Sequence, residues 1–110
     1  MPRLAPTDNL VLIGMPGAGK STIGVLLAKA LARPFLDTDL VIQAQEGRRL
    51  RDILAERGRE VFCALEEGYV LSLDVRGHVI ATGGSVVYSP AAMIKLKAAG
   101  LLVYLDLPYE

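Results

Sequence analysis

The chain has 110 residues, with 12 basic and 12 acidic side chains and a formal net charge of zero, which excludes a nucleic-acid or membrane surface driven by bulk charge. Hydrophobic residues make up 52% and charged residues 22%, the balance of a single globular domain with apolar material for a core rather than of a disordered chain. The lone cysteine rules out an internal disulfide framework and fits a reducing, cytoplasmic setting; residues 1–9 lack the apolar run of a signal peptide, and no stretch is long enough to span a membrane.

In chain order, Leu10-Val11-Leu12-Ile13 is a short apolar run that suits a strand buried on both faces of a parallel sheet. Residues 14–21 follow as Gly-Met-Pro-Gly-Ala-Gly-Lys-Ser, which satisfies the G-x-x-x-x-G-K-[ST] pattern at every fixed position. Gly14, Gly17 and Gly19 let the backbone turn tightly around a phosphate, and Ala18 lies within the turn. The turned N–H groups form an anion nest. Lys20 supplies a mobile cation for the β- and γ-phosphates of a nucleotide, and the Ser21 hydroxyl can ligate Mg²⁺. Ile23, Leu26, Leu27, Ala30 and Leu31 then recur at helical spacing until Arg33-Pro34 ends the helix, whose N-terminus adds its dipole to the anion site.

Pro34-Phe35-Leu36 reads as a short strand delivering Asp37-Thr38-Asp39 at its carboxyl end. A helix is predicted over 40–46 with Thr38 or Asp39 as N-cap, and Gly47 ends it. Leu50, Ile53 and Leu54 predict a short helix before Gly58. Phe62, Leu65, Tyr69 and Leu73 predict a longer one over about 59–74. Val79-Ile80-Ala81-Thr82 is a further buried strand, ending in Gly83-Gly84-Ser85. Ser89-Pro90 opens a helix with serine as cap and proline at the first position; Gly100 closes it, and residues 101–107 form the last strand.

This alternation predicts an α/β fold in three α/β/α layers around a parallel sheet. Ligands of such sheets bind beyond the carboxyl ends of the strands, where 14–21, 37–39 and 83–85 converge. Two carboxylates one residue apart at a strand end, Asp37 and Asp39, can divide the work: one positions a metal and the other orients an attacking hydroxyl. Cys63 has no partner for redox or nucleophilic chemistry and reads as inert, and His78 reads as a loop residue. Phe62 and Tyr104 read as core, whereas Arg48, Arg49, Arg51, Arg57 and Arg59 read as solvated surface.

The chain resembles the shikimate kinases, small P-loop kinases related in fold to the nucleoside monophosphate kinases, over about residues 9–108. The resemblance rests on residues 14–22, Phe-Leu-Asp-Thr-Asp at 35–39, residues 58–67, Ala-Thr-Gly-Gly at 81–84 and Val-Tyr-Leu-Asp-Leu at 103–107. It implies phosphate transfer from ATP to a hydroxyl of a small polar acid. Gly17 through Thr22 would hold the ATP phosphates, Ser21 would bind Mg²⁺ with help from Asp37, and Asp39 would hold the substrate hydroxyls. Gly84, with Gly83 beside it, matches a backbone contact to substrate.

The chain departs from the family pattern at three places. Cys63, followed by Ala64, stands where the family carries an arginine that clamps the substrate carboxylate, and a thiol cannot replace a bidentate guanidinium. Gly83-Gly84-Ser85 stands for a triple glycine, and the family's lid, its second substrate arginine and its last strand lie beyond Glu110. These departures imply an acceptor other than shikimate, or Arg57 or Arg59 as the replacement cation. They also keep two alternatives in view: a nucleotide-binding module without transfer, and an inactive fragment of a longer kinase whose 101–107 edge strand would self-associate.

Overall fold

The computed structural model describes residues 5–14 and 19–105. Within them the elements are β1 (Asn9–Gly14), α1 (Lys20–Leu31), β2 (Phe35–Asp37), α2 (Thr38–Glu46), α3 (Leu50–Leu71), β3 (Val79–Ala81), a 3-10 turn at Val86–Tyr88, α4 (Pro90–Ala99) and β4 (Gly100–Leu105). The strands form one sheet in the order β2-β3-β1-β4, and every pairing is parallel, as the strand-helix alternation requires. β1 is flanked on both sides and all six of its residues are buried.

Alternate residues of β1 feed two cores. Val11 and Ile13 join Val70, Ile80, Val86, Ala92 and Leu96 on the face covered by α3 and α4. Leu10 and Leu12 join Ala28 and Val79 on the face covered by α1. The predicted three layers are therefore present. Ile42 and Ile53, both fully buried, belong to the packing of α2 on α3, and burial of each such side chain contributes about 1.5–3 kcal/mol.

The predicted starts and stops hold at several points. Ser89 caps α4, its Oγ accepting from Ala92 N at 3.1 Å with Pro90 at the first helical position. Gly47 closes α2 with φ 67°. The two helices predicted around Gly58 abut as α3, broken where Gly58 takes φ 85° and ψ 167°, and the second ends at Leu71, short of residue 74.

Other expectations fail for identifiable reasons. The cap of α2 is Asp37, whose Oδ1 accepts from Asp39 N at 2.9 Å and Leu40 N at 3.4 Å; Thr38 and Asp39 already lie inside the helix. α1 turns Gly24 and Ala28 to the sheet, leaving Leu26 at 62% and Leu31 at 44% exposure. The cause is Phe35, whose ring lies so close that a Cβ on Gly24 would be 2.5 Å from its Cε1. Tyr104, expected in the core, is 53% exposed on β4, the terminal strand of the sheet, and residues 106 and 107 of the predicted strand lie outside the described residues. Among the described residues, no helix is long and apolar enough to cross a membrane.

Candidate active site

The carboxyl ends of β1, β2 and β3 open onto a cavity of about 620 Å³. Gly19, Lys20, Ser21 and Thr22 line it from the start of α1, and Asp39 lines it from the first turn of α2. Thr82, Gly84 and Ser85 line it from the chain leaving β3, and Arg59, Phe62, Cys63 and Glu66 from the second half of α3. The expectation that Phe62 is simply core is therefore corrected: it is half-buried and faces the cavity.

Of residues 14–21, the structure describes Gly14, Gly19, Lys20 and Ser21. Gly19 takes φ 78° at the N-cap of α1, with no side-chain cap to compete for the first N–H groups of the helix. Lys20 is 8% exposed, and its Nζ donates to Gly14 O at 2.8 Å. Burial lowers the pKa of Lys20, opposed by the charges of Asp39, Glu66 and Asp37. Gly14 has a second duty besides the turn: a Cβ there would stand 2.6 Å from Leu105 O, so only glycine lets β1 and β4 approach at this point. Gly17 and Ala18 lie outside the described residues.

Ser21 Oγ donates to Asp37 Oδ2 at 2.5 Å, while Asp37 Oδ1 caps α2. One carboxylate therefore fixes a helix start and a hydroxyl together. These two hard oxygens suit Mg²⁺, which takes one or two protein ligands and completes its octahedron with phosphate oxygens and waters.

Asp39 sits deeper. Its Oδ1 is buried without a hydrogen-bond partner among the described residues. Its pKa is raised to about 6, first by burial, then by the charges of Glu66 and Asp37, with Lys20 opposing. Glu66 is 1% exposed and accepts from Ser85 Oγ. Gly83 wedges between the acids: a Cβ on it would lie 2.2 Å from Glu66 Oε2 and 2.7 Å from Asp39 Oδ1. Gly83 thus acts behind the cavity wall, whereas Gly84 is part of it. Thr82 ties this segment to β1, its Oγ1 donating to Leu12 O at 2.8 Å.

The sequence reading missed Glu66. A signal was present: Glu66 stands four residues from both Phe62 and Val70, on the stripe a buried helix face would occupy. His78 stays a loop residue, its Nδ1 2.9 Å from Arg76 O.

The family model described as shikimate kinase matches residues 16–110. The shikimate kinase of Syntrophus aciditrophicus is 42% identical across 100% of this chain and 59% of its own length. That of Mycobacterium leprae is 46% identical across 91% of this chain and 50% of its own. Among solved structures, shikimate kinase from Acinetobacter baumannii in complex with shikimate superposes with a TM-score of 0.84 at 34% identity, covering 93% of this chain and 57% of the other. The chain therefore spans between 50% and 59% of the length of these relatives.

Proposed function

The chain belongs to the shikimate kinase family, and from that premise we propose that it transfers the γ-phosphoryl group of ATP to a hydroxyl of a small polyhydroxylated acid of the shikimate class. The observation that carries this reading is the convergence on one cavity of a buried lysine, a serine–aspartate pair and a carboxylate with pKa about 6.

Each group has a task its geometry suits. The N-terminus of α1 offers backbone N–H groups to the ATP phosphates. Lys20, held by Gly14 O, keeps a positive charge beside the phosphoryl group in a water-poor site, where it acts more strongly than in bulk water. Ser21 and Asp37 would hold Mg²⁺, which when bound neutralises charge on the β- and γ-phosphates. At pH 7 most Asp39 carboxylates are ionised yet poorly solvated, so Asp39 is suited to accept the proton of the attacking hydroxyl. Glu66, Ser85 and Gly83 keep the wall behind the acceptor in one arrangement.

Incubation with Mg·ATP and shikimate, followed by ³¹P NMR, tests the reading. It expects a phosphomonoester signal that grows as the γ-phosphate signal of ATP falls, and that needs both Lys20 and Asp39. ATP bound without transfer to any polyhydroxylated acid would leave the nucleotide-binding module as the better description.

A further inference from the structure

An acceptor acid brings a negative charge into a cavity that already holds Asp39 and Glu66. Something must offset that charge. Lys20 stands at the phosphate end, committed to Gly14 O and the nearby acids. Among the described residues, the other cation lining the cavity is Arg59.

Arg59 opens the helical segment after the break at Gly58 and lies four residues before Cys63. Residues four apart share a helix face, with Cβ atoms about 5–6 Å apart. A guanidinium on its long stem can therefore cover the space that the short Cys63 side chain leaves open. Arg59 and Cys63 both line the main cavity, and both also line an adjoining groove of about 430 Å³ bounded by Ala64, Glu67 and Ser89.

Several of the neighbouring charges are already engaged. Arg57 pairs with Glu46 at 3.2 Å and Glu56 with Arg48, while Glu67 accepts from Ser89 and Glu66 from Ser85. Arg59 has no hydrogen bond or ion pair among the described residues. We propose that Arg59 binds the carboxylate of the acceptor, so that in this chain acid recognition comes from the first turn after Gly58 and not from position 63. The proposal rests on the transfer reading above and determines specificity within it. The guanidinium offers two parallel N–H donors to a carboxylate, a geometry no lysine or thiol reproduces.

The test measures binding of shikimate and of its methyl ester by calorimetry, and steady-state kinetics with shikimate, for the unmodified protein, Arg59→Ala and Arg59→Gln. A charge-assisted contact is expected to change affinity by roughly 10- to 100-fold. Both variants should weaken shikimate binding by that factor, bind the ester as the unmodified protein does, and raise KM with kcat within a few-fold. Adding Cys63→Arg to Arg59→Ala should restore part of the loss. Unchanged shikimate affinity in both variants overturns the proposal, as does an equal loss for acid and ester, which would make Arg59 structural; in either case transfer by the unmodified protein leaves the kinase reading intact. Absence of transfer by the unmodified protein, with ATP bound, overturns both together.

Discussion

At its phosphate end the cavity is built from one run of chain after β1, joined by one carboxylate from β2: Lys20 reaches back to Gly14 O and Ser21 reaches Asp37. At its acceptor end it draws on α2, α3 and the chain after β3, so Asp39, Glu66, Gly83 and Ser85 meet from segments far apart in sequence. The first end depends on backbone conformation and a few fixed side chains at set spacing. The second depends on side chains packed across elements. A phosphate looks alike in every nucleotide, so backbone N–H groups suffice for it. An acceptor is particular, so recognising it calls for side chains chosen for that one molecule.

The contrast can be broken most forcefully at Lys20. Lys20→Ala should lower kcat by on the order of 10²–10³, the scale of removing one preorganised electrostatic contact, and also weaken ATP binding. Unchanged calorimetric affinity for ATP would remove the phosphate end from the description. Asp39→Asn should reduce transfer by roughly 10²-fold or more while sparing nucleotide affinity, which separates the two ends directly.

The pH dependence of Asp39 sharpens the same separation. Transfer should rise with pH through about 6, as Asp39 ionises, and then level off. Stability should move the opposite way. The folded pKa of about 6 lies above the unfolded value of 3.8, so between them the native state holds more protons and stability falls as pH rises. Asp39→Asn should flatten that limb and melt higher than the unmodified protein at pH 7. A steeper loss in the variant would contradict the burial of this charge.

Gly83→Ala should cost about 1–3 kcal/mol of stability through overpacking, because the new methyl meets Glu66 and Asp39 together. It should raise the acceptor KM more than the ATP KM; equal effects on both would mean the two ends are not independent. Ser89→Ala, at the cap of α4, should cost about 1 kcal/mol in a denaturant melt.

These two regions also differ in how much the sequence discloses. The pattern at residues 14–21 and the acidic pair at 37–39 can be read from the sequence because each is a matter of residue type at fixed local spacing. Ser89-Pro90 and Gly47 are legible for the same reason. Glu66 was missed because a glutamate on a helix reads as solvated, and its burial depends on Gly83, seventeen positions later in the numbering. Leu26 and Leu31 misled for a related cause: hydrophobic spacing marks an apolar stripe, but the ring of Phe35 chose Gly24 as the point of contact. Asp37 capping α2 could not be separated from Thr38 or Asp39 by residue type, since all three are good caps.

The break at Gly58 carries a consequence for handedness. Its φ of 85° and ψ of 167° lie in a region nearly closed to L-residues, whereas the mirror-image angles fall in the broad extended region. A Cβ at this position would meet nothing within 4 Å, so the restriction is one of chirality and not of space. A D-alanine installed by chemical synthesis in place of Gly58 should therefore fit the native bend and stabilise the chain by roughly 0.4–1 kcal/mol through a less free unfolded state, while the L-enantiomer at the same atom count destabilises it. The segment that carries Arg59, Cys63 and Glu66 to the cavity is thus aimed by a bend whose sense the ordinary amino acids other than glycine would resist.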